Sequence, residues 1–185
     1  ELARMAGGSS SGPGAAVASG QVPMAIGTDT GGSVRVPAAL CGITGLKPTF
    51  GLISRYGVTP LSWSMDHVGP MTRTVRDAAL ALNMLAGYDP RDPDSVRMAP
   101  QDYSRELDRG VQGMRIGVPK DFIWEVMDPE VEQVFRGAMT QMESLGSRVR
   151  EASFPDLGLI NAAGSIVQTS EAGIIPRSRV LEQGR

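Results

Sequence analysis

The sequence predicts an α/β fold, and three observations point to it. Short apolar runs of strand length, Val22–Thr28 and Ile43–Leu46, sit among segments of helical character. Two later segments open on recognisable helix caps, at Thr74 and Asp128. A strand–helix–strand succession from Met114 to Phe154 has the spacing of a right-handed parallel crossover.

Taken in order, Ser9–Gly20 reads as a helix of small residues. Ser9 or Ser10 is placed to cap it, and Pro13 falls in the first turn, where its missing N–H does no harm. Ala15, Ala16 and Ala18 let it lie close to a neighbour. Val22–Thr28 reads as a buried strand, Asp29–Ser33 as a tight loop, Val34–Leu40 as a short helical turn and Ile43–Leu46 as a second buried strand. Pro48–Pro70 reads as loop, punctuated by Gly51, Gly57, Pro60, Gly69 and Pro70.

Thr74 and Asp77 form a capping-box pattern, followed by Val75, Ala78, Ala79, Leu82, Leu85 and Ala86 on one face and a stop at Gly87. Tyr88–Tyr103 reads as a solvated surface connection. Met114–Val118 is a strand ended by Pro119. Asp128 caps the next helix with Pro129 at its first position, and Gly146 ends it. Its apolar stripe is Val131, Val134, Phe135, Ala138, Met142 and Leu145. Arg148–Phe154 is a strand, and a helix runs from Leu157 to about Ser170.

The 185 residues suit one ordinary domain or part of a larger one. A formal charge of −2 supplies no basic field for direct nucleic-acid or anionic-lipid binding. The single cysteine, Cys41, excludes an internal disulfide and a cysteine-based metal site, and fits a cytoplasmic setting. No apolar run approaches a membrane span, and no signal-peptide pattern is present. Beginning at Glu1 inside an apparent pattern and stopping in a polar tail at Arg185, the chain reads as a fragment.

The chemistry concentrates in Gly7–Thr49, where Asp29, Arg35 and Lys47 are the only ionised side chains. Ser9 follows Gly7-Gly8 and Ser33 follows Gly31-Gly32. This pattern marks Ser33 as a nucleophile, Ser9 as its hydrogen-bonding partner and the glycine amides as an oxyanion hole. Competing motifs fail. There is no Gly-Lys-Ser/Thr triplet for a phosphate loop, Val17 breaks a dinucleotide fingerprint, and Arg35 stands where a nucleophile elbow needs glycine. The only histidine, His67, has Asp66 adjacent in sequence, a poor orienter, and reads as structural. Serine then needs another base, and a desolvated lysine can serve. That base is either Lys47 or a residue outside the chain.

Several residues carry a family resemblance. Gly7-Gly8-Ser9-Ser10, Gly27-Thr28-Asp29-Thr30-Gly31-Gly32-Ser33-Val34-Arg35, Pro37-Ala38, Cys41-Gly42 and Gly45-Leu46-Lys47-Pro48-Thr49 resemble the amidase signature family. The series continues through Ser54-Arg55-Tyr56-Gly57 and Met65-Asp66-His67-Val68-Gly69-Pro70, collinear over about the first ninety residues and extending to Pro155. The resemblance implies a mixed central sheet covered by helices on both faces, with a signature core at 1–90 and part of a larger α/β region at 91–185. It also implies a Ser–cis-Ser–Lys triad with Ser33 as nucleophile and Ser9 as the cis serine. The backbone amides of Thr30, Gly31, Gly32 and Ser33 would line the oxyanion hole. The family lysine lies upstream of the first serine, outside this chain, and Lys47 matches a different lysine.

The implied reaction is hydrolysis of a small-molecule carboxamide through an acyl-enzyme, without metal or cofactor, in a free-standing protein or a homodimer. The fragment by itself is expected to be inactive. The Asp66–Pro70 motif resembles free-standing amidases. The alternatives are a component of a tRNA-dependent amidotransferase, partnered by its other subunits and feeding them ammonia from glutamine, and a non-catalytic scaffold relative. Around the site, Asp29 is expected to tie down the loop through backbone amides and Arg35 to pair with a nearby carboxylate. Ser10 competes with Ser9 as partner of Ser33. Cys41 reads as a small buried hydrophobe, and Trp63 and Met65 as packing beneath the site. Ser11 and Pro13 depart from the family pattern beside the cis turn.

Overall fold

In a computed structural model that describes residues 4–120, 124–154 and 156–174, the chain divides into two units. The first is Glu1–Arg105 with Ser165–Arg185, and the second is Glu106–Gly164. Pro155 and the polar tail to Arg185 lie outside the described residues. The division expected near residue 90 falls inside the first unit, because the Tyr88–Tyr103 connection is bonded back onto it. Val96 N donates to Gly51 O at 2.9 Å, and Arg55 N donates to the buried Asp92 carboxylate at 2.7 Å. The connection is the exposed loop its composition implies, pinned to the unit at these points.

The first unit is built from α1 (Ser11–Ala18), β1 (Met24–Asp29), α2 (Arg35–Cys41), β2 (Thr44–Gly45), β3 (His67–Thr72) and α3 (Val75–Leu85). Its three strands form an antiparallel sheet in the order β1-β3-β2. The central strand, β3, falls where a loop is expected. Gly69-Pro70 disguises it, since proline gives up a ladder N–H. Pro70 keeps its carbonyl as an acceptor, from Leu46 N at 3.0 Å, and is fully buried.

Gly69 is required at its position, because a Cβ there would be driven into the carbonyl oxygen of Leu46. Gly69→Ala is expected to cost about 3 kcal/mol in urea unfolding. Gly12→Ala is the control. It sits in α1, where an added Cβ meets nothing within 4 Å, and should be neutral or slightly stabilising.

Two apolar clusters hold this unit. Val34, Ala38 and Met71 pack with Ile43, and Leu52, Ile53, Val68 and Leu82 pack with Leu46, Leu85, Ala86 and Tyr103. The small residues of α1 permit close approach: a Cβ on Gly14 would lie 3.2 Å from Pro37 Cβ and 3.3 Å from Met71 Cε. α3 begins as its sequence implies, with Thr74 Oγ1 accepting from Asp77 N at 3.1 Å. Ser10 stands at the N-cap of α1 but makes no capping bond with its side chain.

The second unit contains β4 (Arg115–Pro119), α4 (Pro129–Ser144) and β5 (Arg148–Ala152); α5 (Leu157–Ile174) begins here and ends in the first unit. β4 and β5 pair in parallel, with Ile116 opposite Val149. Asp128 caps α4 by accepting from Glu130 N at 2.8 Å, and Gly146 leaves it at φ +91°. The α4 stripe is only partly covered. Phe135 and Met142 are half-buried, whereas Val131 and Val134 are exposed, because a two-stranded sheet is narrower than the stripe. Among the described residues the expected mixed sheet thus resolves into an antiparallel sheet in one unit and a parallel pair in the other.

Candidate active site

At the end of β1 the chain reverses through Thr30–Ser33 and enters α2. Asp29 organises this reversal from a position of zero solvent exposure. Its Oδ1 accepts from Gly32 N at 2.8 Å, and its Oδ2 accepts from Val34 N at 3.1 Å and Arg35 N at 3.2 Å. The Arg35 side chain adds a two-pronged pair, Nε to Oδ2 at 3.0 Å and a terminal nitrogen to Oδ1 at 2.8 Å. Burial alone would raise the Asp29 pKa. The Arg35 hydrogen bonds and the backbone amides outweigh it and hold the carboxyl at about 2.

This arrangement corrects one expectation. The Gly32 amide is turned inward to Asp29, so it is withdrawn from the oxyanion-hole set. Thr30, Gly31 and Ser33 are the members of the expected set that remain. Composition cannot foretell this, because adjacent glycines can point their amides to either side of a turn.

The segments of Ser9 and Ser33 are joined through the backbone. Among the described residues the two serine side chains do not make the hydrogen bond to each other that was expected of them. The Gly8–Ser9 peptide is cis, where the family resemblance places it. Ser10 N donates to Ser33 O at 3.1 Å, which sets Ser9 beside the Ser33 turn. Ser9 is exposed and Ser33 half-buried. Ser10 does not compete for the Ser33 hydroxyl. Its buried Oγ donates to Thr28 O and accepts from Thr28 N, each at 3.3 Å, so β1 holds it. Ser11 and Pro13 occupy the first turn of α1.

A second line of hydrogen bonds supports the turn from outside. Thr30 Oγ1 donates to Asp66 Oδ1 at 2.5 Å, and Asp66 Oδ2 accepts from Leu61 N at 2.7 Å and Ser62 N at 3.0 Å. Ser62 Oγ and Ser64 Oγ donate in turn to Glu171 on α5, at 2.5 Å and 2.6 Å, and Ser64 N adds a third bond at 3.1 Å. Desolvation would raise the Glu171 pKa, but these donors outweigh it and lower it. Sequence reasoning missed Glu171. The available signal was that it is the single charged residue in the whole of α5.

Lys47 and His67 serve each other rather than Ser33. Lys47 Nζ donates to Pro48 O at 3.1 Å and lies 3.1 Å from His67 Nε2. His67 Nδ1 lies 2.6 Å from Met65 O. A carbonyl only accepts, so Nδ1 carries the proton and Nε2 accepts from the ammonium. Burial, followed by the Lys47 charge, lowers the His67 pKa and favours this neutral form.

A cavity of about 190 Å³ lies beside this pair, with Arg55, Tyr56, Trp63, His67, Arg91 and Asp94 in its wall; Ser9 and Ser33 do not line it. Trp63 faces this cavity and is 45% exposed, so it does not pack beneath the site as expected. Cys41 is half-buried, its Sγ 3.7 Å from Ala6 O. Among the described residues no cluster of His, Cys, Asp and Glu could hold a metal ion, and no helix is long and apolar enough to cross a membrane.

Known proteins resemble this chain in sequence and fold. A profile of the family described as Amidase matches residues 1–180. The chain is 51% identical over 172 residues to the A subunit of glutamyl-tRNA(Gln) amidotransferase from Chromohalobacter salexigens, covering 93% of this chain and 35% of that protein. It is 46% identical to the protein of the same name from Lactiplantibacillus plantarum, over the same shares. Among solved structures, the A subunit of the Thermotoga maritima glutamyl-tRNA(Gln) amidotransferase superposes with a TM-score of 0.89 at 38% identity, covering 99% of this chain and 41% of that one. The native peptide amidase of Stenotrophomonas maltophilia gives a TM-score of 0.85 at 38% identity, covering 93% and 36%. The chain therefore spans about 35% of the length of the curated relatives it matches.

Proposed function

The chain belongs to the Amidase family, and on that premise we propose that it carries the nucleophile of an acyl-transfer site that hydrolyses a carboxamide C–N bond. Ser33 Oγ attacks the carbonyl carbon while its proton passes to Ser9 and on to a lysine upstream of this chain. The oxyanion is met by the amides of Thr30, Gly31 and Ser33. One such donor is typically worth ~3–4 kcal/mol in the transition state. The C–N bond then breaks, the nitrogen leaves with the relayed proton, and water cleaves the Ser33 ester.

The observation that supports this reading is the Asp29-anchored reversal together with the bond from Ser10 N to Ser33 O, which ties the segment of the cis Gly8–Ser9 peptide to the Ser33 turn. A fluorophosphonate tests it in the full-length protein. A covalent adduct on Ser33, located by peptide mass spectrometry, is expected. A folded protein that takes up no label at Ser33 overturns the reading in favour of a non-catalytic scaffold.

A second reading has its own support. The amidotransferase relatives reach 51% identity, which pulls against the free-standing amidase that the Asp66–Pro70 motif suggests. Under it the carboxamide is that of glutamine, and the ammonia passes to a partner protein. Ser33-dependent glutaminase activity that rises with a co-purified partner distinguishes it from an amidase that works alone on a small-molecule amide.

A further inference from the structure

α5 sends Glu171 to Ser62 and Ser64 and Gln168 to Gly31 in the Ser33 turn. Glu171 is tied to Ser62 and Ser64 by three hydrogen bonds, which fixes the rotation and height of this end of the helix. Gln168 lies three residues earlier and so shares that face. It is held directly against the reversal: a Cβ placed on Gly31 would lie 2.9 Å from Gln168 Oε1. The missing side chain at Gly31 is the space that Gln168 occupies. Gln168 is half-buried, and among the described residues its carboxamide has no hydrogen-bond partner. With no such partner, its carboxamide is free to bond a group brought to the turn.

We infer that Gln168 is a specificity-determining residue of this site, its Oε1 accepting a hydrogen bond from the N–H of the scissile carboxamide. The inference rests on the acyl-transfer reading above. A substrate whose carbonyl oxygen sits on the amides of Thr30, Gly31 and Ser33 carries its leaving nitrogen on the same carbon. Of the two substituents on that carbon, the leaving nitrogen is the one inferred to lie on the Gly31 side, next to Gln168 Oε1. An amide offers a proton there. The matching ester offers an alkoxy lone pair, which opposes a carbonyl acceptor. Gln168 thus favours amides over esters, since a site built to bond an N–H discriminates against an analogue that lacks it.

The test uses the full-length protein with two matched pairs, glutamine against glutamate γ-methyl ester and benzamide against methyl benzoate. Gln168→Leu is expected to lower kcat/KM for the amide about tenfold while changing the ester far less, which collapses the amide-to-ester ratio. Gln168→Glu retains an acceptor and is expected to preserve the ratio, although its charge beside a developing oxyanion lowers kcat on both substrates. Ser33-dependent turnover with the same ratio in Gln168→Leu and wild type overturns the role of Gln168 alone. No Ser33-dependent turnover of any of the four overturns the acyl-transfer reading and this inference with it.

Discussion

Replacing Ser33 with alanine is expected to lower kcat for carboxamide hydrolysis by the full-length protein on the order of 10⁴-fold or more, with little change in thermal stability. The removed oxygen is half-buried, and the bonds that shape the reversal run through Asp29 and the backbone instead. Ser9→Ala is expected to lose nearly as much. The double variant should be no slower than the worse single one, because groups that act as a unit do not add. Ser10→Ala provides the contrast. Its hydroxyl bridges the backbone of Thr28, so its removal is expected to show first as about 1 kcal/mol of lost stability. Steady-state kinetics and urea unfolding on the four proteins separate these outcomes. Full turnover in Ser33→Ala would place the chemistry elsewhere.

The elements that declare themselves in the sequence are those whose signals are local. Thr74 with Asp77, and Asp128 with Pro129, each put a cap and a first turn within four residues, and both helices start where those residues say. β4 has Ile116 and Val118 with a terminating proline at Pro119, and β5 follows closely on the glycine stop of α4. β3 does not, because its Gly69-Pro70 step carries loop chemistry while its strand character comes from pairing with β1, some forty residues away. The site divides in the same way. Asp29 reads as a loop anchor because its partners lie three to six residues ahead. Ser9 and Ser33 take their roles from the family pattern, since nothing in their separation states that they meet. Thr30 with Asp66 and Ser62 with Glu171 are 36 and 109 residues apart, and such pairings exist only once the chain has folded. The direction of the Gly32 amide is of the same kind. It depends on which acceptor the finished turn offers.

Asp29→Asn is expected to destabilise the protein by about 3 kcal/mol and to lower turnover with it, because the buried carboxylate gathers three backbone amides and Arg35 at one point. An asparagine keeps the shape but turns a donor toward at least one of those N–H groups. The acid limb of the stability profile gives a second measurement. Asp29 titrates at about 2 in the folded protein against an ordinary value of 3.8. On acidification the unfolded chain therefore takes up this proton first. The carboxylate's contribution is complete above about pH 4 and disappears as the pH falls through 2. By the size of the shift that contribution is on the order of 2 kcal/mol. Unfolding free energies measured from pH 5 to pH 2 should fall less steeply in Asp29→Asn than in wild type. Arg35→Ala tells which partners matter. The Arg35 side chain is 51% exposed, so its ion pair is screened and its loss is expected to cost about 1 kcal/mol, with the three amides still in place. A loss in Arg35→Ala equal to that in Asp29→Asn would mean that the ion pair holds the reversal. A much smaller loss would mean that the backbone amides do, and then Ser33 is positioned by the peptide chain itself.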